Sequence, residues 1–134
     1  MLYLAVRAYQ LTNELPPEEI YNLSHQIKKS VVSIPSNIAE GAGRNSNNEF
    51  NQFLGFATSS SYELENQVLL SERLNFLSSE DVNPVIEELH SLQKRIYNFK
   101  KFIKKQREVV YSGVLIPLPS TSLPYTRKPW KHIS

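Results

Sequence analysis

Glu87 and His90 stand in Glu-x-x-His spacing. Di-iron bundles use this pair when two helices each supply one copy and two further helices each add a glutamate. The sequence holds a single copy. Leu89 and Leu92 claim the inward face beside it, so Glu87 and His90 read as a solvated helix face. His25, isolated between Ser24 and Gln26, reads as a surface or hydrogen-bonded histidine. Glu40, Glu63 and Glu65 could be imagined as a hydrolytic carboxylate set. Such work needs two carboxyls about 5–5.5 Å apart beside a sugar-sized cleft, and capping or surface charge explains them better. Gly41-Ala42-Gly43 follows a helical pattern rather than a strand, which makes it a helix stop and not a phosphate cradle. No P-loop, dinucleotide turn or Gly-x-Ser-x-Gly occurs. The absence of Cys removes disulfides, thiolate zinc sites and a cysteine nucleophile. The expectation is a protein that is not an enzyme, with no cofactor, no metal and no small-molecule substrate.

Charge placement says more than charge total. The 134 residues carry 15 Lys+Arg and 13 Asp+Glu, a net charge of +2. From Lys94 to Arg107 there are seven basic residues and no acidic one: Lys94, Arg95, Lys100, Lys101, Lys104, Lys105 and Arg107. From Glu63 to Glu88 there are seven acidic residues and one Arg. Cations at a helix C-terminus complement its dipole, but that calls for one or two lysines rather than seven. Lys28, Lys29 and Arg44 add to the candidate nucleic-acid-binding set. The last residues add Arg127, Lys128 and Lys131, with Tyr125 and Trp130 available for stacking. The competing readings are charge-complementary self-assembly and a merely solvated face.

Four helical stretches must position these groups. The first spans about Leu2 to Thr12, with Leu2, Ala5, Val6, Tyr9 and Thr12 on one face; Pro16 and Pro17 end it. The second spans about Pro17 to Glu40, with Ile20, Leu23, Ile27, Val31, Ile34 and Ile38 at steps of three and four. The apolar phase survives Pro35, which predicts one bent helix rather than two. The loop 41–48 follows, and Ser46 with Glu49 forms a capping-box pattern, with Asn47 or Asn48 as alternative caps. The third helix runs to about Asn75 on Phe50, Phe53, Leu54, Ala57, Ser61, Leu64, Val68 and Leu74. The fourth starts at Ser78 or Ser79 and runs to about Val109. Its seam is Val82, Val85, Leu89, Leu92, Ile96, Phe99 and Ile103. Residues 112–134, with four prolines and no acid, read as an irregular basic tail. The predicted fold is all-α: an antiparallel four-helix bundle over 1–111 with a kinked second helix. No run approaches the ~20 apolar residues of a bilayer span. Met1–Val6 lacks a basic leader and breaks at Arg7, so the expectation is a cytoplasmic protein without membrane contact.

The block Ser33-Ile34-Pro35-Ser36-Asn37-Ile38-Ala39-Glu40-Gly41, with Gly43-Arg44, Glu49-Phe50 and Phe53-Leu54 beyond it, resembles the 23S ribosomal RNA intervening-sequence protein family of bacteria. Leu23, Gln26-Ile27 and Lys28-Lys29 upstream also fit, as do Glu63-Leu64-Glu65 and Leu74-Asn75-Phe76-Leu77 downstream. The resemblance covers about residues 3 to 107. It implies a four-helix bundle assembling into a homopentameric ring, without known catalysis and with suspected RNA association. It also implies relatives with several residues ahead of this starting point. A related bundle serves as the accessory protein of diversity-generating retroelements, which binds a reverse transcriptase and nucleic acid. Read physically, the motif is structural: Pro35 bends the helix, Asn37 and Glu40 partner freed backbone groups, and Gly41 supplies a left-handed stop. Two functions follow as expectations. One is a homo-oligomer whose basic surface binds RNA or DNA. The other is a structural adaptor for a protein partner that makes no direct nucleic-acid contact.

Overall fold

A computed structural model describes residues 1–114, with side chains through residue 106. Four helices account for them: α1 (Leu2–Thr12), α2 (Leu23–Ala42), α3 (Asn47–Arg73) and α4 (Ser79–Val114), with no strand among the described residues. α2 packs on α1 and α3, and α4 on α3 and α1. Ser33 meets Ser60 and Gly41 lies against Phe53, so α2 and α3 run antiparallel. Glu65 meets His90 and Gln93 while Phe50 meets Phe99, so α3 and α4 do too. The expected all-α bundle is the observed one. α4 continues to Val114, past the expected end near Val109. From residue 115 onward the proline-rich stretch lies outside the described residues.

The core follows the three-and-four spacing in α2, α3 and α4. Ile27, Val31 and Ile34 pack with Leu54, Leu64 and Val68 and with Val82, Val85, Leu89, Leu92, Ile96 and Ile103. α1 differs from expectation. Leu4, Ala8 and Leu11 face inward, and Leu15 beyond the helix continues their row. Ala5 and Thr12 turn inward as expected, but Leu2, Val6 and Tyr9 are exposed. Both stripes are apolar, and the one extended by Leu15 offers more buried area.

The helix ends explain the remaining differences. The stretch after Pro16 is a 3-10 turn over Pro17–Glu19, and α2 begins only at Leu23 because Asn22 leaves the helical region. Ile20 therefore sits on the surface. α2 then passes unbroken through Pro35. Gly41 is not a left-handed stop: it is buried within α2, and no described glycine has positive φ. A Cβ on Gly41 would lie 2.5 Å from Phe53 Cβ and 3.0 Å from a Phe50 ring carbon. Its missing side chain is what lets α2 meet α3. Ser46 caps α3, accepting from the Glu49 amide at 3.2 Å. The left-handed residue is instead Asn75, φ 62°, after α3. Asparagine tolerates that region better than most residues. The turn leaves Leu74 outside and sends Leu77 into the core. Ser78 opens α4 by accepting from the Asp81 amide at 3.2 Å.

α1 is short. Its 11 residues span about 16 Å, against about 54 Å for the 36 residues of α4. The Glu14 carboxyl, just past α1, meets Asp81 in the first turn of α4. Counting back along α1 from that contact, α4 has no α1 beside it beyond about Leu92. Phe99, expected in the seam, is 41% exposed for this reason.

Two expectations test these packing arguments. Gly41→Ala should lower unfolding free energy by about 1–3 kcal/mol in urea titrations, because the Phe53 Cβ it meets is fixed to the backbone. The hydrogen bond to Asp81, and then the Asp81 charge, raise the Glu14 pKa above its ordinary value. The folded state thus holds an extra proton at mildly acid pH, and stability falls as pH rises through that window. Glu14→Gln should melt above the parent at pH 7, the gap closing below about pH 4.

Candidate nucleic-acid interface

The basic residues of α4 sit where the helix is least covered. Lys94, Arg95, Lys101, Lys104 and Lys105 are exposed and Lys100 is half-buried, its Nζ beside Gly55 of α3. Among the described residues, Lys94, Lys100, Lys101, Lys104 and Lys105 have no carboxylate within ion-pair distance. Arg95 makes an exposed contact of 3.4 Å to Glu88. Such a contact is screened and weak. The Arg107 side chain lies outside the described residues, as do Arg127, Lys128 and Lys131 with Tyr125 and Trp130.

The other candidates divide. Arg44, in the turn after α2, joins the basic end: Phe50 and Phe53 of α3 border Gly41, and Phe50 meets Phe99 of α4. Its guanidinium pairs with Glu40 at 2.7 Å and stacks 4.8 Å from the Phe53 ring centre. Glu40 is thus spent on Arg44 and not on freed backbone, contrary to expectation. Lys28 and Lys29 do not reach this end. They lie 12–13 residues before Gly41, about 20 Å along the helix axis. Lys28 caps the Tyr9 ring of α1 at 5.3 Å.

Asn37 reaches one turn back along α2 to Ser33, and not to the Val31 carbonyl that Pro35 leaves without its helical donor. Its amide donates to the Ser33 carbonyl at 2.8 Å and to Ser33 Oγ at 3.0 Å. Ser33 Oγ in turn meets Ser60 Oγ at 2.8 Å. The motif therefore ties the segment around Pro35 to α3.

Reading the seam from sequence missed an aromatic surface. Phe102 stacks near Phe99 with ring centres 6.3 Å apart and planes 20° from parallel. Phe99 meets Phe50 edge-on at 5.5 Å, and Phe53 meets Phe56 edge-on at 5.4 Å. Phe56, Phe99 and Phe102 are 46%, 41% and 52% exposed. Lys101 lies 5.4 Å from the Tyr97 ring centre. The signal was the spacing of Phe99 and Phe102 among the lysines, on a stretch too far from α1 to be covered.

Enzyme-like groups are placed elsewhere. Glu87 and His90 are exposed, and His90 Nε2 lies 3.3 Å from Glu65 Oε2. Gln93 donates to the other Glu65 oxygen at 2.9 Å. Among the described residues no three His, Cys, Asp or Glu side chains cluster as metal ligands would. No described helix is long and apolar enough to cross a membrane.

Four amphipathic helices packed around one apolar core, with a run of lysines on the last of them, define a small helical-bundle protein. The family described as 23S rRNA-intervening sequence protein matches residues 1–98, and the chain belongs to that family. No curated protein matches it.

Asn37→Ala should cost about 0.5–1.5 kcal/mol in chemical denaturation, since it removes the tie to Ser33. The α4 surface should be unaltered.

Proposed function

We propose that this protein is a non-enzymatic, cytoplasmic homo-oligomer, a pentameric ring by its family resemblance, that binds RNA or DNA through the basic half of α4. The observation that carries the reading is the set Lys94, Lys100, Lys101, Lys104 and Lys105, without carboxylate partners among the described residues. Ammonium groups so placed on one helix would displace condensed counterions from phosphate, giving salt-sensitive binding with little sequence preference. Arg44 adds to the same end. Lys28 and Lys29, about 20 Å away along α2, contribute less.

Self-association has its own support. Leu2, Val6 and Tyr9 form an outward apolar stripe on α1, bordering a shallow concavity of about 370 Å³ lined by Ala5, Val6, Tyr9, Gln10 and Asn13. Contiguous apolar surface of this kind marks contact sites. The same stripe favours the second reading, in which a protein partner docks on the assembly and nucleic acid is not bound directly.

Reversing Lys100, Lys101, Lys104 and Lys105 to Glu separates the two. The first reading expects the oligomer mass to persist in light scattering while nucleic-acid binding is lost. For single Lys→Ala changes, the dependence of log affinity on log salt should flatten by about 0.7 per phosphate contact on a single strand. Affinity absent at low salt, or indifferent to salt, overturns it.

A further inference from the structure

We propose that the surface binds unpaired rather than duplex nucleic acid, with bases stacking on Phe99 and Phe102; this rests on the nucleic-acid reading above. Arg95, Phe99, Phe102 and Lys105 follow one another along α4 at steps of four, three and three. That spacing places them on one flank of a helix. They form a stripe of cation, ring, ring, cation about 15 Å long. It lies beyond Leu92, where α1 no longer covers α4. Both rings are about half exposed and nearly parallel, and Phe50 buttresses Phe99 from α3. The opposite flank repeats the interleaving with Tyr97 and Lys101.

The occupant follows from the combination. An apolar partner would gain from the rings but would bury the cations unpaired. A second copy meeting this face through the same face would set lysines against lysines. A duplex would satisfy the cations yet offer the rings nothing, because its bases are already stacked. An unpaired strand satisfies both: phosphates meet Arg95 and Lys105, and bases lie on the rings, as in sequence-tolerant single-strand binders. The Arg95 contact to Glu88 at 3.4 Å is exposed and readily exchanged for phosphate.

The test is fluorescence anisotropy with three labelled probes of equal length: oligo-uridine, an abasic oligonucleotide and a duplex. The wild-type protein should bind oligo-uridine more tightly than either other probe. Phe102→Ala should weaken oligo-uridine binding about 5- to 100-fold and leave abasic and duplex binding unchanged. Phe102→Trp should restore it. Because Phe102 is more exposed than Phe99, its alanine variant should keep wild-type helicity by circular dichroism. Equal wild-type affinity for oligo-uridine and the abasic probe overturns the inference. Unchanged oligo-uridine affinity in Phe102→Ala does so too. Loss of oligomer mass in Phe102→Ala with unaltered binding per subunit assigns the rings to a subunit contact, and also overturns it. Failure of the wild-type protein to bind any probe at low salt defeats the broader reading instead.

Discussion

The close approach of α2 to α3 at Gly41 is the constraint on which the basic end depends. With no side chain there, the end of α2 rests directly on Phe50 and Phe53. Phe50 then supports Phe99 of α4, and Phe53 carries the Arg44 guanidinium. One absent methyl group thus sets the position of three elements at once. Higher along the same pair of helices the approach is kept by serines: Ser30, Ser60 and Ser61 are buried, and Ser33 and Ser60 join across the gap. Small polar side chains in a tight interface must find partners, because an unpaired buried hydroxyl is costly. Ser61 solves this by donating to the Thr58 carbonyl at 2.6 Å.

How much of this was legible depended on how much each element said about its neighbours. The α4 seam, repeated over three heptads, left one face for the core, and six of its seven residues are buried. The seventh, Phe99, could not be placed from its own helix, since its exposure is set by where α1 runs out. α1 misled for a different reason: two apolar stripes compete on eleven residues, and Leu15, beyond the proline-bounded end, decides between them. Glycine and asparagine exchanged roles. Gly41 suggested a left-handed turn and serves close packing, while Asn75 takes the left-handed position. Local propensity indicates that a residue tolerates a conformation, and the neighbouring helix determines whether it is used.

The basic cluster was fully visible in the sequence, but its grouping was not. Position along α2, rather than charge, separates Lys28 and Lys29 from Arg44. The aromatic component was hidden because phenylalanine at seam spacing is ordinarily core. Phe102 lies off the seam by helix phase, next to the buried Ile103, and the early end of α1 leaves its neighbour Phe99 open beside it, among cations.

That segregation of charge also has a mechanical effect. The acidic residues of late α3 and early α4 lie toward one end of an elongated body, and the lysines toward the other. Such a body is an electric dipole, and a field exerts a torque on it before any contact is made. Near a polyanion it would rotate lysine-end first, so that encounters begin already aligned and fewer collisions are wasted.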